Sequence, residues 1–362
     1  MARSDPLDLP RSTGQRSSSF RWRLLDSVTG RVRGQLTPIR DFPPRLSHDT
    51  DSTISRRITG VVLGVQDAGV IQPLRDRLEV SMVLSTGRGE REYPLGRYVV
   101  ADASRLETSG GATSPITFLD EMFLVDQELD SGFSAGDRPV DEVILRLVSG
   151  LPVGEVEIDA TDQTAATSYS AGTSRASALN DLALLGGYLR PWFDHVGRLR
   201  LRRVFEPANR VPDIDLDASP RVVAGSVARS NDLLTTPNRI VVISNDLGVE
   251  TQTAPVVGVY DVPASAPHSI AQRGLVVPMV VDAQVTTVQQ ARTYARSLGI
   301  RQTGYETVHL TTPADPRHDG YDVVRWDGQM WLETAWSMTL ESGGPMWHTL
   351  RRAYGLTDGE GL

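Results

Sequence analysis

The stretch 172–204 constrains the fold most, because the spacing of its apolar residues changes there from helical to extended. Ser174 is a suitable N-cap, since its hydroxyl can accept a free backbone N–H of the first turn. The pair Gly186-Gly187 predicts the end of the helix, because glycine adopts the left-handed conformation without a Cβ clash. The apolar face between these signals repeats at helical spacing and contains Ala178, Leu179, Leu182 and Leu185.

A hairpin is predicted directly after this helix. Residues 188–193 suit a strand, 194–197 suit a tight turn, and Leu199, Leu201 and Val204 lie on the return strand. Three arginines, Arg198, Arg200 and Arg202, alternate with these apolar residues and therefore face the other way. That face is either solvated or in contact with a partner. The unit contains no nucleophile, no paired acids and no metal-ligand spacing, so it is interpreted as scaffold.

Composition excludes several classes of protein. A chain of 362 residues exceeds one ordinary core and predicts two or three domains. A formal charge of -8 argues against a general nucleic-acid binder, which would carry a concentrated basic surface. The sequence contains no cysteine, which excludes disulfides, thiolate metal sites and cysteine nucleophiles. All basic residues other than histidine are arginine, a bias typical of GC-rich genomes.

Residues 1–19 are rich in Ser, Arg, Pro and Asp and show no periodicity. We expect a flexible N-terminal arm, because little apolar surface is available to offset the entropy of ordering. The alternative is an arm that orders on a neighbouring subunit. The segment lacks the apolar region of a secretory signal, and no apolar run in the chain approaches the roughly 18 residues that cross a bilayer.

The rest of the chain divides into three segments. Residues 20–136 contain several short strand patterns and predict a first β-barrel or sandwich, with Pro94 near the start of one strand. Residues 137–205 predict an α/β domain, in which Pro139 suits the first position of a helix. Residues 206–362 return to strand patterns, and Asp327-Gly328 indicates a hairpin. Two further predictions are a long strand over 115–129 that turns at residues 126–127 and a helix over 287–299.

Two acidic groups in the sequence are candidate cation sites. His318 lies near three acids in the sequence, which allows either a metal site or a polar loop before the strand at 322–326, and the polar loop is favoured. The acids of the run 213–217 lack the glycine and the later glutamate of a calcium loop, so a solvated edge is favoured. No HExxH or other close histidine pair occurs among His48, His195, His268, His309, His318 and His348. The acids of the two groups are Asp315, Asp319 and Asp322, and Asp213, Asp215 and Asp217.

Four tryptophans crowd the C-terminal part: Trp326, Trp331, Trp336 and Trp347. Exposed aromatic rings could stack on sugars, but rings on strands are more often core or subunit interface. The sequence also lacks the serine elbow, the Walker glycine loop and the dinucleotide fingerprint. The 45 acidic residues allow carboxylate pairs without pointing to a glycosidase. No catalytic, cofactor-binding or metal-ligating residue is therefore assigned.

Four stretches, in this order, resemble a known family. They are EYPLGRYVVADA, FLDEMFLVDQEL, the helix followed by GGYLRPWFDHVGRLRL, and PADPRHDGYDVVRW with WSMTLESGGPMWHTLRR. Together they are similar to the tail hub (minor tail) proteins of siphophages that infect actinobacteria. That family is similar in turn to the baseplate hubs of contractile phages and injection machines.

The resemblance implies a mainly β chain with an α/β insertion, in which two β-barrel hub domains (20–136 and 206–362) flank the α/β domain. Three copies would form a homotrimeric ring at the tail tip of the virion, assembled in the bacterial cytoplasm. Its implied partners are the distal tail or tail tube protein, the tape measure protein, and central fibre or receptor-binding proteins. DNA would pass through the bore without specific binding, and no membrane, cofactor or catalysis is implied. A fused spike or lysin is also not expected.

Two alternatives from other classes remain open. A carbohydrate-binding receptor protein of the tail tip would show a shallow groove lined by exposed Trp or Tyr. A tail-associated cell-wall hydrolase would depend on one essential acid.

Overall fold

The fold is known from a computed structural model. It describes residues 17–39, 43–73, 75–86, 89–103, 106–108, 111–218, 222–232, 234–244, 255–302 and 304–354. Residues 1–16 of the expected N-terminal arm lie outside the described residues. The prediction of a flexible arm is wrong for its last three residues. Ser17, Ser18 and Ser19 already belong to the first strand and pair with a later strand.

The protein is mainly β, as predicted. The strands of the first half are β1 (Ser17–Asp26), β2 (Val32–Gln35), β3 (Arg45–Asp49), β4 (Arg56–Gly64), β5 (Asp76–Thr86), β6 (Gly89–Ala103), β7 (Leu106–Thr108), β8 (Gly111–Asp120), β9 (Phe133–Ser134), β10 (Arg138–Pro139), β11 (Val156–Ile158), β12 (Thr164–Ala165) and β13 (Ser168–Tyr169). Those of the second half are β14 (Trp192–Phe193), β15 (Leu199–Leu201), β16 (Ile214–Asp215), β17 (Ala228–Asn231), β18 (Arg239–Ser244), β19 (Val257–Asp261), β20 (Pro278–Ala283), β21 (Glu306–Pro313), β22 (Val323–Trp326), β23 (Gln329–Thr339) and β24 (Pro345–Arg352).

Helices are fewer and are spread between residues 65 and 302. They are α1 (Val65–Val70), α2 (Met122–Val125), α3 (Val140–Val148), α4 (Arg175–Leu185), α5 (Ile270–Arg273) and α6 (Val288–Gln302), with a short 3-10 turn at Pro207–Asn209.

One large sheet dominates the fold. Its strand order is β17-β21-β24-β23-β3-β4-β8-β6-β5-β1-β2, with β7, β16 and β22 attached at the sides. The order is linear, and no closed barrel is formed within the part of the chain described. Strand β3 joins the two halves, because it pairs with β4 on one side and with β23 on the other.

The core beneath this sheet also combines distant parts of the chain. Leu24, Leu46 and Phe118 from the first third pack in the same cluster as Trp336 and Met346 from the last. A smaller cluster around Trp331 lies under the β21–β24 half. The sheet and its core therefore contain residues of both segments that were expected to form separate barrels, 20–136 and 206–362. The domain boundaries stay predictions.

The helix–hairpin unit has the predicted form. Ser174 Oγ accepts the backbone N–H of Ser177 at 3.1 Å, which caps α4 at its first turn. Gly187 has a φ of 76°, so the chain leaves the helix through the left-handed region. The expected strand at 188–193 is shorter and contains only Trp192–Phe193 as regular strand. A parallel strand, β11, flanks β15, and its Glu157 pairs with Arg198 and Arg200, which accounts for two of the alternating arginines.

A separate three-stranded mixed sheet (β19-β18-β20) packs against α6. The two contribute to the same core cluster as α4, so residues of the 137–205 segment and of the 206–362 segment are buried together. Helix α6 runs past the expected end at Gly299 to Gln302. Glycine occupies position 299 for another reason: a Cβ there would lie 2.2 Å from Cδ1 of Tyr260.

Three other predictions require correction. The long strand expected over 115–129 ends at Asp120, and Met122–Val125 is a helix in which Met122 and Val125 are buried. Pro94 lies inside β6 instead of near its start. The register shift beside it marks a β-bulge, where a proline without an N–H is tolerated. Pro139 is the N-cap of α3 and not its first residue.

Candidate functional site

The acids of the run 213–217 accept backbone hydrogen bonds, and Asp217 fixes the turn at Asp327-Gly328. Asp213 accepts the N–H of Val323 at 2.9 Å. Asp217 accepts the N–H of Asp327 at 2.8 Å and that of Gly328 at 3.0 Å. The predicted hairpin is present, and Asp327 and Gly328 have φ of 54° and 65°. These contacts give the acids a structural role in aligning β16 with β22.

The tryptophans are mostly core. Trp331 is 1% exposed, and its Nε1 donates to the carbonyl of Trp326 at 3.0 Å. Trp336 is 3% exposed and stacks on His48 with ring centroids 5.6 Å apart.

Trp347 differs from the other three, because it is 37% exposed. It contributes to an open depression of ≈ 680 Å³ lined by strands β3, β21, β23 and β24. The guanidinium carbon of Arg45 lies 4.3 Å from the centroid of the Trp347 ring. One face of the ring is therefore already covered by a cation, which reduces the area available for stacking on a sugar.

The loop 314–322 carries the acids predicted around His318, and the structure separates their roles. Asp315 forms an ion pair with Arg317 at 2.6 Å. Asp319 forms a buried ion pair with Arg56 of β4. Asp322 Oδ2 accepts the N–H of Asp319 at 2.7 Å, which fixes the turn of the loop. The acids thus hold the loop in place instead of surrounding one point with His318.

His318 instead contacts two residues that the sequence did not associate with it, Glu333 of β23 and His348 of β24. Nδ1 of His318 lies 2.6 Å from Glu333 Oε2, and Nδ1 of His348 lies 2.6 Å from Glu333 Oε1. The three side chains are 2%, 0% and 1% exposed. Sequence separation hid this cluster, because no short motif joins the three positions.

The pKa values in this cluster follow from burial and charge. Burial alone would disfavour the Glu333 carboxylate, but the charge and hydrogen bonds of the two histidines outweigh it and lower its pKa to about 2. Burial opposes the cationic form of His318, yet Glu333, Asp315 and Asp322 raise its pKa overall. Burial lowers the pKa of His348, and Glu333 offsets this only in part. The raised pKa of His318 and the lowered pKa of Glu333 both favour the charged form of this pair, whereas the lowered pKa of His348 favours its neutral form.

The three-stranded sheet β19-β18-β20 has an exposed apolar face on the side opposite α6. The register of β18 with β19 and β20 places five apolar side chains together on the face that points away from α6. They are Val241, Ile243, Val257, Val259 and Val280. Val257, Val259 and Val280 are 39%, 45% and 58% exposed. An ion pair between Arg239 and Asp261 at 2.6 Å borders the patch, which we name the valine patch.

None of the helices in the described part of the chain is long and apolar enough to span a membrane.

Solved structures with the same fold include two tail proteins and a chain of a PdpA–VgrG complex. A tail protein from Neisseria meningitidis MC58 has 14% identity, a TM-score of 0.59, and coverage of 92% of this chain and 97% of its own. The 43 kDa tail protein of prophage MuSo2 from Shewanella oneidensis has 13% identity, a TM-score of 0.56, and coverage of 92% and 98%. A chain of the Francisella PdpA–VgrG complex has 11% identity, a TM-score of 0.52, and coverage of 95% and 53%.

No family model and no curated protein matches the sequence. At identities this low, the likeness establishes a common fold. The chain has the fold of phage tail proteins over nearly its whole length.

Proposed function

We propose that this protein is a structural component of a phage tail tip, namely a hub protein that assembles as a homotrimeric ring. The observation that carries the proposal is that fold agreement with two tail proteins, one of them from a prophage, extends over nearly all of this chain and of theirs. The hub resemblance of the sequence adds the finer assignment. The protein would act by association and would catalyse no reaction.

The ring would join the distal tail or tail tube protein to the central fibre or receptor-binding proteins, with the tape measure protein and the genome passing through it. Two similar β-rich halves per subunit would give three chains a pseudo-sixfold face. The net charge of -8 suits a bore that does not retain DNA, because like charges repel. The protein would be assembled in the host cytoplasm and reside in the virion tail.

The valine patch is the surface that we propose for contact between subunits. Contiguous exposed apolar side chains bordered by an ion pair are typical of protein interfaces. Obligate contacts of this kind bury roughly 2,000 Å² or more.

Size-exclusion chromatography with light scattering tests this function. A stable trimer, or a trimer formed on adding the neighbouring tail proteins, supports the hub. A chain that stays monomeric with those proteins present contradicts it.

The depression beside Trp347 favours one second candidate, a receptor protein that binds carbohydrate. Thermal unfolding in the presence of host cell-wall sugars distinguishes the two. Sugar-dependent stabilisation that is lost in Trp347→Ala would favour the receptor function over the hub.

A further inference from the structure

We propose that His318, Glu333 and His348 form a binding site for a divalent transition-metal cation of the zinc class. Two imidazoles and one carboxylate are donor groups that zinc prefers. One donor atom from each residue lies within 4.8 Å of the others, so a cation could contact all three after small movements. All three side chains are buried, which would exclude competing water.

Two tautomers of His348 fit its hydrogen bonds: one donates Nδ1–H to Glu333, and the other leaves Nδ1 free to bind a cation beside Glu333. Thr312 Oγ1 lies 2.8 Å from Nε2 of His348 and 3.0 Å from the carbonyl oxygen of Pro313. A hydroxyl has one hydrogen, so if Thr312 donates to Pro313, it must accept from Nε2–H. Nδ1 of a neutral His348 then presents a lone pair to the Glu333 carboxylate at 2.6 Å. That contact is repulsive unless a proton or a metal ion lies between the two atoms.

Thr312 would also hold the ring of His348 in position at the metal site. Metal-bound histidines commonly donate their second ring N–H to an oxygen, which fixes the tautomer and the orientation of the ring. Thr312 on β21 provides such an oxygen to His348.

The charge around the cluster suits a cation. Glu333 is an acid at the centre, and Asp315 and Asp322 both act electrostatically on His318. A dication that replaces the Nδ1 proton of His318 would interact favourably with the Glu333 and Asp322 carboxylates, whereas Asp315 is already paired with Arg317.

The three ligands come from the loop 314–322, from β23 and from β24, so a bound metal would tie the loop to the sheet. The same loop carries Asp319, the partner of Arg56. If both oxygens of Glu333 bind, the protein supplies four donor atoms and the site is closed, as structural zinc sites are. The inference is independent of the proposed tail function.

Zinc itself is the probe for the test. The protein is purified, stripped with a chelator and titrated with Zn²⁺ by calorimetry, with cobalt absorption as a second readout of ligand geometry. We expect one Zn²⁺ per chain, a higher Tm with Zn²⁺ than with chelator, and tighter binding as pH rises, because the imidazoles must be deprotonated.

Four variants make the test specific. Glu333→Gln and His348→Asn should abolish binding, and Thr312→Val should weaken it by about 10- to 100-fold. The matched control is His309→Asn, because His309 is an exposed histidine on the neighbouring strand β21.

Three outcomes overturn the proposal: a folded wild-type protein that binds neither Zn²⁺ nor Co²⁺, binding that survives His348→Asn, or binding that is lost in His309→Asn. If the Glu333 and His348 variants do not fold, Thr312→Val decides, and unchanged affinity in that variant overturns the proposal.

Discussion

Arg56 and Asp319 form a buried ion pair across 263 residues of sequence. Arg56 lies on β4, and Asp319 lies in the loop before β22. The guanidinium also donates to the carbonyl of Leu95 at 3.1 Å. The pair therefore joins the first third of the chain to the last.

The first prediction concerns this pair. Asp319→Asn should lower the free energy of unfolding by about 3–5 kcal/mol, because it leaves the Arg56 charge buried without its counter-ion. Asp261→Asn is the control, since it breaks an exposed pair with Arg239 and should cost less than about 1 kcal/mol. Urea unfolding measures both, and equal losses in the two variants would contradict the prediction.

The second prediction concerns the contact between α6 and β19. Gly299→Ala should destabilise the protein by about 1–3 kcal/mol, because the new methyl group would overlap the ring of Tyr260. Gly69→Ala is the matched control, since a Cβ at that position of α1 meets nothing within 4 Å. It should be neutral or stabilising, because alanine favours helix over glycine. Thermal unfolding measures both variants, and equal Tm values would contradict the prediction.

The third prediction concerns pH, with chelator present. The folded pKa of His318 is raised, so its contribution is complete below the unfolded pKa of about 6.5 and is lost as pH rises through the folded pKa. The folded pKa of Glu333 is lowered to about 2, so its contribution is complete above about pH 4.5 and is lost as pH falls toward 2.

The stability difference between wild type and His318→Asn should therefore be largest between about pH 4.5 and 6.5. Urea midpoints measured from pH 3 to 9 check this. A difference that does not vary with pH would show that the pair is not charged in the folded protein.

The fourth prediction concerns the valine patch. Val259→Glu should prevent trimer formation without lowering the Tm of the monomer, because the side chain is exposed in the single chain. Val28→Glu is the control, since Val28 is an isolated, 82% exposed valine in the turn after β1. Light scattering separates the two. Trimers of Val259→Glu would show that subunits meet elsewhere.

The sequence predicted what depends on neighbouring residues. The cap at Ser174, the stop at Gly187 and the turn at Asp327-Gly328 each follow from local backbone chemistry, and the structure confirms them. The sequence also predicts a helix stop at Gly299, and this prediction is wrong. Glycine is needed there because of the ring of Tyr260, which lies on a strand distant in sequence.

The buried cluster could not be predicted, because it depends on a bulge. Strict alternation from the buried Trp336 would point Glu333 to the opposite face of β23. The register shift between Glu333 and Ala335 reverses that and turns Glu333 toward His348. Nothing in the run of residues marks where such a shift occurs.

Strand β3 is five residues long and holds a strand on each side. A fragment that ends at residue 205 would lack β23 and would present β3 as an open edge above a half-built core. Open edges of this kind recruit other chains, so such a fragment would tend to aggregate. Partial synthesis or proteolysis of this chain would therefore yield insoluble material and not a smaller working part.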